Sequence, residues 1–245
     1  MYSFEIRRPT SVTEASAALS SGEATAIAGG QTLLPTMKLR LADPGVLVDL
    51  SGVSELRGIT GDAAAITIGA MTTHAEVASS TKVRDAIPAL SDLAGLIGDP
   101  AVRNRGTIGG SVANSDPAAD YPAALLALDA TIRTSTRSIA AADFFTGLFE
   151  TALEADEIIV SVTFPVPTKA SYMKFPQPAS RFALVGVFAA STQQGARIGV
   201  TGAGPCAFRV EQMETALDAN WSPDAIAGVS IDADGLNADI HGSAR

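Results

Sequence analysis

The chain has 245 residues, of which 47% are hydrophobic and 18% charged, a composition typical of an ordered enzyme and not of a disordered protein. Its formal net charge of −9 argues against a nucleic-acid partner, because no cluster of Lys and Arg is available to neutralise phosphates. With one cysteine and two histidines, the chain is expected to form neither a disulfide framework nor a metal site. Any redox chemistry in this chain would therefore need a bound organic cofactor.

The N-terminal residues lack the apolar stretch of a signal peptide, and no run approaches the roughly 20 apolar residues that span a bilayer. We therefore expect a cytoplasmic protein without a membrane span. The length favours two unequal units. Residues 165–178 contain four prolines and form the predicted boundary between these units.

The first part of the chain predicts a strand, a Gly turn, a helix and a second strand in succession. The elements are a strand at 4–6, a helix from the Ser11 N-cap to residue 19, a buried strand at 24–28, a helix from the Thr32 N-cap to about residue 42, and a strand at 46–50. This order would direct the N-terminus of the second helix toward any ligand bound at Gly29 and Gly30.

Later segments continue the mixture of helices and strands. We predict a strand at 66–68, a helix over 74–79 capped by Thr72 or Thr73, a helix over 83–97 interrupted at Pro88, a helix over 122–128, a strand at 130–133 and a half-exposed strand at 158–164. After the boundary, strands at 183–190 and 196–201 and helices at 209–219 and 222–227 indicate a smaller α+β unit.

Two glycine-rich stretches stand apart from the apolar remainder of the chain. Residues 26–38 read AIAGGQTLLPTMK, and residues 96–122 read LIGDPAVRNRGTIGGSVANSDPAADYP. Paired glycines let several N–H groups converge on an anion, although for one Gly pair alone we favour a plain turn. A side chain at Gly109 or Gly110 would occupy the path of a bound pyrophosphate. Two such stretches suggest one extended ligand that carries phosphate.

The polar residues of the second stretch have competing roles. For Asp116, which precedes a proline, we favour a turn, whereas Asp120 is equally suited to a cap or to ribityl hydroxyls. Arg103 and Arg105 could pair with phosphate, but we favour bonds to neighbouring carbonyls. For His74, we favour a surface or capping role over that of a catalytic base.

Together these stretches resemble the FAD-binding medium subunits of the molybdenum hydroxylases, the carbon monoxide dehydrogenase flavoprotein and xanthine dehydrogenase family. The resemblance rests on AGGQTLLPTMKLRLADPGVLVDL at residues 28–50, on IGDPAVRNRGTIGGSVANSDPAADYPAALLALDA at 97–130 and on EIIVSVTFP at 157–165. It covers nearly the whole chain. Many relatives carry His and Ser at the positions of Gln31 and Thr32, which indicates a different branch or substrate.

The resemblance implies an α+β protein with a two-lobed FAD-binding fold of the vanillyl-alcohol-oxidase (PCMH) type and a small α+β C-terminal domain. The FAD-binding domain would span residues 1–166, with lobes at about 1–55 and 56–166. The C-terminal flavoprotein domain would span 167–245 and lack the last helix of its relatives.

The resemblance also assigns the cofactor and its binding residues. FAD would be noncovalent, because Gln31 cannot form a histidyl–flavin bond. Residues 26–33 and 107–111 would wrap the pyrophosphate from two sides, Asp120 would bind cofactor hydroxyls, Ile159 would contact the adenine end, and Lys174 would lie near the flavin ring. The full predicted set is Ala26, Ile27, Ala28, Gly29, Gly30, Gln31, Thr32, Leu33, Thr107, Ile108, Gly109, Gly110, Ser111, Asp120, Ile159 and Lys174, with no catalytic residue.

The implied function is electron transfer within a heterotrimeric molybdenum hydroxylase. FAD would take electrons from 2Fe-2S clusters and pass them to an external acceptor. Molybdopterin and the 2Fe-2S clusters would belong to a large and a small partner subunit, in a dimer of heterotrimers. The alternatives are a stand-alone FAD-dependent oxidoreductase of the same fold and an assembly module that has lost flavin.

Overall fold

The computed structural model describes residues 1–238 and 242 and contains three main sheets. The first is a parallel sheet with strand order β1-β3-β2, flanked by α1 and α2. Its elements are β1 (Glu5–Arg7), α1 (Val12–Leu19), β2 (Ala24–Ile27), α2 (Leu33–Lys38) and β3 (Val46–Asp49). Ser11 caps α1 by accepting a hydrogen bond from Glu14 N, as its sequence position predicts.

Helix α2 is shorter than its apolar periodicity predicts. It ends at Lys38, and Arg40 beyond it has a φ of 59°. Leu41 continues the predicted periodicity but is 76% exposed, so the apolar repeat meets no core there. Thr32 occupies the N-cap position as predicted, but its side chain makes no capping hydrogen bond.

The second sheet has five strands in the order β4-β5-β10-β6-β7, and every neighbouring pair is antiparallel. Its strands are β4 (Ile59–Gly61), β5 (Ala65–Gly69), β6 (Thr131–Thr134), β7 (Ser138–Ala140) and β10 (Ile159–Pro165), with the small β8 (Phe145–Gly147) and β9 (Glu150–Thr151) pair beside it. Strand β10 was predicted to be half-exposed. It is instead the central strand, and five of its seven residues are buried because both faces are covered.

The helices between β5 and β10 build most of the larger core. They are α3 (His74–Ser79), α4 (Thr81–Ala86), α5 (Pro88–Gly95), α6 (Pro100–Arg103), α7 (Ile108–Asn114), α8 (Tyr121–Ala127) and α9 (Ala141–Phe144). The interruption predicted at Pro88 is confirmed, because this proline begins α5 directly after the end of α4. Thr73, one of the two predicted caps, begins α3 and forms a full capping box with Glu76.

The third sheet is an antiparallel meander with the order β11-β12-β13-β14. Its elements, with two short helices, are β11 (Lys169–Pro176), β12 (Ala183–Thr192), β13 (Gly195–Thr201), β14 (Phe208–Arg209), α10 (Glu211–Ala219) and α11 (Pro223–Ile226). The sequence did not predict β11, which lies inside the proline-rich boundary. Among the described residues, no helix is long and apolar enough to cross a membrane.

Helix α8 joins the second and third sheets. All seven of its residues are buried, and its apolar composition fits a helix covered on every side. A Cβ on Gly199 of β13 would lie 2.1 Å from the carbonyl oxygen of Ala123 in α8. The absence of a side chain at Gly199 therefore sets how closely the third sheet approaches α8.

We predict that Gly199→Ala lowers the free energy of unfolding by about 3 kcal/mol, because an overpacked backbone contact must shift. Urea denaturation followed by circular dichroism measures this change. Gly95→Ala is the matched control, since a Cβ there would meet no atom of the described residues within 4 Å. Equal losses of stability in the two variants would contradict the packing argument.

Candidate functional site

A cleft of about 620 Å³ lies between the first sheet and the helices of the second. Its volume lies within the roughly 300–1,000 Å³ that is usual for cofactor and ligand pockets. Fourteen of the sixteen predicted site residues border it: Ala26, Ile27, Ala28, Gly29, Gly30, Gln31, Thr32, Leu33, Thr107, Gly109, Gly110, Ser111, Asp120 and Ile159. The two glycine stretches, some eighty residues apart in sequence, therefore face a common space.

The first glycine segment, residues 26–33, presents unpaired backbone donors to the cleft. The N–H groups of Gly29, Gly30, Gln31, Thr32 and Leu33 have no acceptor among the described residues, and the first backbone bond of α2 runs from Leu34 N to Gly30 O. Successive unpaired N–H groups form a concavity that suits an anion. In an acidic chain, this segment can hold a phosphate without a cationic side chain.

Gly29 brings the two glycine stretches into contact. A Cβ on Gly29 would lie 2.1 Å from the carbonyl oxygen of Arg105, so only glycine permits this approach. Gly30 has a φ of +71°, which also favours glycine. One glycine therefore serves the contact between segments, and the next serves the turn into α2.

The second glycine segment, residues 107–111, is the first turn of α7 and not an open loop. Four of its five N–H groups are already paired: Ile108 N donates to Thr72 O, Gly109 N to Ala70 O, Gly110 N to Thr107 Oγ1 and Ser111 N to Thr107 O. This segment therefore borders the cleft with its backbone and with the Ser111 hydroxyl. The unpaired N–H groups at residues 29–33 belong to the first segment.

The two paired glycines of this segment have different roles. A Cβ on Gly109 would lie 2.5 Å from the Cβ of Ala70, which packs beneath α7. The expectation that a side chain here would enter the pyrophosphate path is wrong for Gly109, because its missing side chain is required for packing. A Cβ on Gly110 would instead lie 3.0 Å from Thr107 Oγ1 and 3.7 Å from the Cβ of Ala28, a cleft residue of the first segment.

Ile108 and Lys174 do not border the cleft. Ile108 is fully buried in the larger core. Lys174 borders a smaller neighbouring hollow, and its Nζ lies 2.9 Å from Asp120 Oδ1 and 3.2 Å from the carbonyl oxygen of Leu96. The strand β11 that carries Lys174 thus places the ammonium group on the far side of Asp120.

Asp120 borders the cleft, and two side chains of β11 hold its carboxylate. Tyr172 donates its hydroxyl to Asp120 Oδ1 over 2.6 Å, and Lys174 forms an ion pair with the same carboxylate. Burial raises the pKa of Asp120, while Lys174 and Tyr172 act in the opposite direction. The carboxylate is thereby fixed in orientation, with the cleft on its open side. Asp120 makes no capping bond to α8, so the capping alternative is excluded.

Sequence reasoning missed His74 as a member of the cleft wall. Its predicted surface or capping role is wrong, because the residue is 4% exposed and Thr73 supplies the cap. A Cβ on Gly106 would lie 2.6 Å from His74 Nε2, so the absence of a side chain at Gly106 leaves room for the ring. Burial, with a smaller contribution from Arg103, lowers the pKa of His74 to about 4. The imidazole is therefore neutral near pH 7.

The His74 ring lies beside Tyr121, with 5.5 Å between the ring centroids. His74 Nδ1 and the Tyr121 hydroxyl are buried without a hydrogen-bond partner among the described residues. Unpaired buried polar atoms are costly unless water or a ligand satisfies them. Nothing in the sequence marks His74 as buried, since the capped helix start that contains it is typical of a surface.

Glu157, which also borders the cleft, lies just before β10 and close to Ile159 in the chain. Its carboxylate accepts hydrogen bonds from Thr134, Thr136 and Arg137, and the Arg137 contacts together with the threonines lower its pKa to about 2. The side chain of Glu157 is 1% exposed. This network fixes the Glu157 side chain two residues before Ile159. Its partners lie 20 to 23 residues from Glu157 in the sequence, so no local pattern reveals the network.

The expected role of Arg103 is confirmed. Its Nη1 donates to the carbonyl oxygens of Ile97 and Gly98, each over 3.0 Å. Asp116 forms the turn predicted for it, accepting a hydrogen bond from Ala118 N. Both residues therefore shape the segment that leads into α7 and α8.

Two α+β lobes with a long cleft between them, unpaired N–H groups on one wall and an oriented carboxylate at one end define an FAD-binding fold of the PCMH type. The geometry fits the cofactor, since the free donors suit a pyrophosphate and Asp120 suits hydroxyl groups. Residues 2–167 match the family model for the FAD binding domain in molybdopterin dehydrogenase. The chain belongs to this family.

Known relatives agree with this assignment. The chain is 38% identical over 222 residues to the carbon monoxide dehydrogenase medium chain of Hydrogenophaga pseudoflava, covering 85% of this chain and 77% of the relative. It is 37% identical over 252 residues to the nicotine 6-hydroxylase medium subunit of Paenarthrobacter nicotinovorans, covering 97% and 89%.

Solved structures agree as well. Carbon monoxide dehydrogenase from Hydrogenophaga pseudoflava superimposes with a TM-score of 0.87 at 37% identity, covering 92% of this chain and 84% of that chain. Quinoline 2-oxidoreductase from Pseudomonas putida 86 gives a TM-score of 0.86 at 33% identity, covering 99% and 90%. The chain is therefore an FAD-binding medium subunit of a molybdenum hydroxylase-type dehydrogenase.

We predict an acid-dependent loss of stability that originates at His74. Because its folded pKa of about 4 lies below the unfolded value of 6.5, its stabilising effect is complete above pH 6.5 and declines as pH falls toward 4. Between pH 7 and pH 5, wild type should lose about 2 kcal/mol more free energy of unfolding than His74→Gln.

Urea denaturation at the two pH values measures this difference. A pH dependence that is the same in His74→Gln and in wild type would show that His74 titrates normally.

Proposed function

We propose that this chain is the FAD-binding electron-transfer subunit of a heterotrimeric molybdenum hydroxylase. The partners would be a large subunit with the molybdenum cofactor and a small subunit with 2Fe-2S clusters, assembled as a dimer of heterotrimers in the cytoplasm. The observation that carries the proposal is the row of unpaired N–H groups at residues 29–33, on the wall of a cleft inside a matched FAD-binding domain. The medium-chain relatives support the subunit role.

Within this proposal, FAD-binding roles follow from position. The first glycine segment would hold the pyrophosphate through its free N–H groups, with Gly110 and Ser111 opposite it. Asp120, held by Tyr172 and Lys174, would bind cofactor hydroxyls. Ile159, fixed by the Glu157 network, would contact the adenine end. Lys174 would act through Asp120, because its ammonium group lies behind that carboxylate.

Bound FAD would supply the electron-transfer chemistry, taking electrons from 2Fe-2S clusters and passing them to an external acceptor. The residues of this chain bind and orient the cofactor, and we assign none of the described residues a bond-breaking role. We also propose that the FAD-binding domain spans residues 1–166, with lobes at about 1–55 and 56–166, and that 167–245 form the C-terminal domain. The three sheets support this division.

Purification of the chain, alone and from its native source, tests this function. Alone, it should take up FAD without oxidising alcohols or N-heterocycles. From the native source, it should co-purify with molybdenum, iron and two partner chains. Substrate turnover by the chain alone would favour a stand-alone oxidoreductase, and failure to take up added FAD would contradict both.

We predict that Gly110→Val lowers the FAD content at least about tenfold, because its side chain would extend toward Ala28 across the proposed pyrophosphate path. Flavin absorbance per protein after reconstitution measures the effect, and circular dichroism checks the fold. Gly45→Ala is the control, since its Cβ would make only ordinary contacts, the nearest at 3.7 Å. Full flavin content in folded Gly110→Val protein would refute this placement.

Gly109→Val should behave differently from Gly110→Val. Because its Cβ would collide with Ala70 beneath α7, we expect loss of soluble protein or of thermal stability, with or without FAD. Thermal denaturation of the two variants side by side measures the contrast. Identical behaviour of the two variants would contradict the division of roles between the glycines.

A further inference from the structure

Two buried side chains beside the cleft carry polar atoms that no other described residue satisfies. His74 is 4% exposed and Tyr121 is fully buried, and neither His74 Nδ1 nor the Tyr121 hydroxyl has a hydrogen-bond partner among the described residues. Buried side-chain polar atoms are bonded in the large majority of cases, so two unbonded ones in one place indicate a ligand or a water. A site in which only the glycine segments and Asp120 hold the cofactor leaves both side chains without a role.

The second nitrogen of the His74 ring faces the cleft. His74 borders the cleft, and its Nε2, which also lacks a partner among the described residues, is not sealed from solvent as Nδ1 is. Gly106, another residue of the cleft wall, lies directly against this nitrogen, since a Cβ there would be 2.6 Å from Nε2. The ring therefore presents Nε2 to the cleft at a position where the wall has no side chain.

Gly106 also links the His74 ring to the first glycine segment. A Cβ on Gly29 would lie 2.8 Å from Gly106 Cα, so the backbones of these two glycines are in close contact. Gly29 begins the row of unpaired N–H groups at residues 29–33. His74 Nε2 and these N–H groups therefore lie on either side of Gly106 and border the same part of the cleft.

The surroundings of the ring decide which of its nitrogens carries the proton. Burial, with a smaller contribution from Arg103, lowers the pKa of His74 to about 4, so the neutral ring has a single N–H. A buried N–H without an acceptor is rarer in proteins than a buried acceptor without a donor. A proton on Nε2 avoids the orphaned N–H and leaves Nδ1 to accept from the Tyr121 hydroxyl, directly or through one buried water. The ring then offers a neutral N–H to the cleft.

We propose that His74 donates a hydrogen bond from Nε2–H to a pyrophosphate oxygen of bound FAD, and that Tyr121 holds the ring in this tautomer. The inference rests on the proposed function, because it takes FAD as the ligand of the cleft. A phosphate oxygen is the acceptor expected at this point, since the adjoining N–H groups of residues 29–33 suit an anion. His74 is then a cofactor-binding residue, and Tyr121 is a positioning residue behind it.

Titration of the purified chain with FAD, followed by flavin fluorescence, tests the contact. His74→Leu removes the donor without adding a polar atom, and it should raise the FAD dissociation constant at least about tenfold. His74→Gln, whose amide N–H can take the place of Nε2–H, should stay within about threefold of wild type. Ser91→Ala is the matched control and should leave the affinity unchanged. Ser91 is equally buried and its hydroxyl donates to Ala78 of α3, but it does not border the cleft.

Nitrogen NMR of protein with isotope-labelled histidine rings tests the tautomer, and His74→Gln identifies the His74 signals by their loss. In FAD-loaded protein we expect a proton on Nε2 and none on Nδ1, and we expect Tyr121→Phe to shift the Nδ1 signal. Phosphorus NMR of bound FAD reports on the pyrophosphate itself. Its signals should move in His74→Leu and stay in place in Ser91→Ala.

A proton on Nδ1, or an FAD affinity that is the same in His74→Leu as in wild type, would overturn the His74 contact while leaving the proposed function intact. Phosphorus signals that do not move in His74→Leu would overturn the assignment of the pyrophosphate as acceptor. An unchanged Nδ1 signal in Tyr121→Phe would overturn the role of Tyr121. Wild-type protein that takes up no FAD would contradict the proposed function itself.

Discussion

The close approach of Gly29 to the backbone of Arg105 is the contact on which the site depends. A side chain of any size would separate the two glycine segments, since its first atom would lie 2.1 Å from the Arg105 carbonyl oxygen. This contact joins the parallel sheet of the first lobe to the helices of the second. It leaves the N–H groups of residues 29–33 facing the cleft. The N–H groups of Ile108 and Gly109, at the start of α7, instead donate to carbonyl oxygens in the loop between β5 and α3. The first glycine segment therefore supplies hydrogen-bond donors, and the second supplies a closely approaching backbone surface.

The third sheet contributes to the same site from outside the matched domain. Tyr172 and Lys174 of β11 converge on Asp120, which precedes the buried helix α8. Burying an ion pair is costly unless hydrogen bonds satisfy both partners, and here Tyr172 and the Leu96 carbonyl complete the set. The free-energy cost of burying this ion pair indicates that the pair orients the Asp120 carboxylate and adds little to stability. The same ion pair neutralises the Lys174 ammonium group, which borders the smaller hollow.

Much of the fold and most of the site could be predicted, and the failures have physical causes. Helix caps such as Thr73 and the proline that begins α5 are local signals, so they were found. Strand β10 alternates in sequence, but helices and a neighbouring lobe cover both of its faces, which one strand cannot reveal. Strand β11 was missed because prolines at its end resemble a linker. His74 was misjudged because a capped helix start gives no information on what packs above it.

The sequence by itself determined the chemistry available: glycine segments in place of a basic patch, one carboxylate behind them and a spacing of motifs that identifies the family. These are properties of residue order, and they hold before any long-range contact forms. Tertiary structure decided which role each glycine segment has at the site. Whether an N–H group is free, whether a glycine faces a ligand or a neighbouring alanine, and whether a lysine meets the cleft or stands behind an aspartate all depend on contacts between residues 30 to 80 positions apart. Such contacts are fixed only when the lobes pack together.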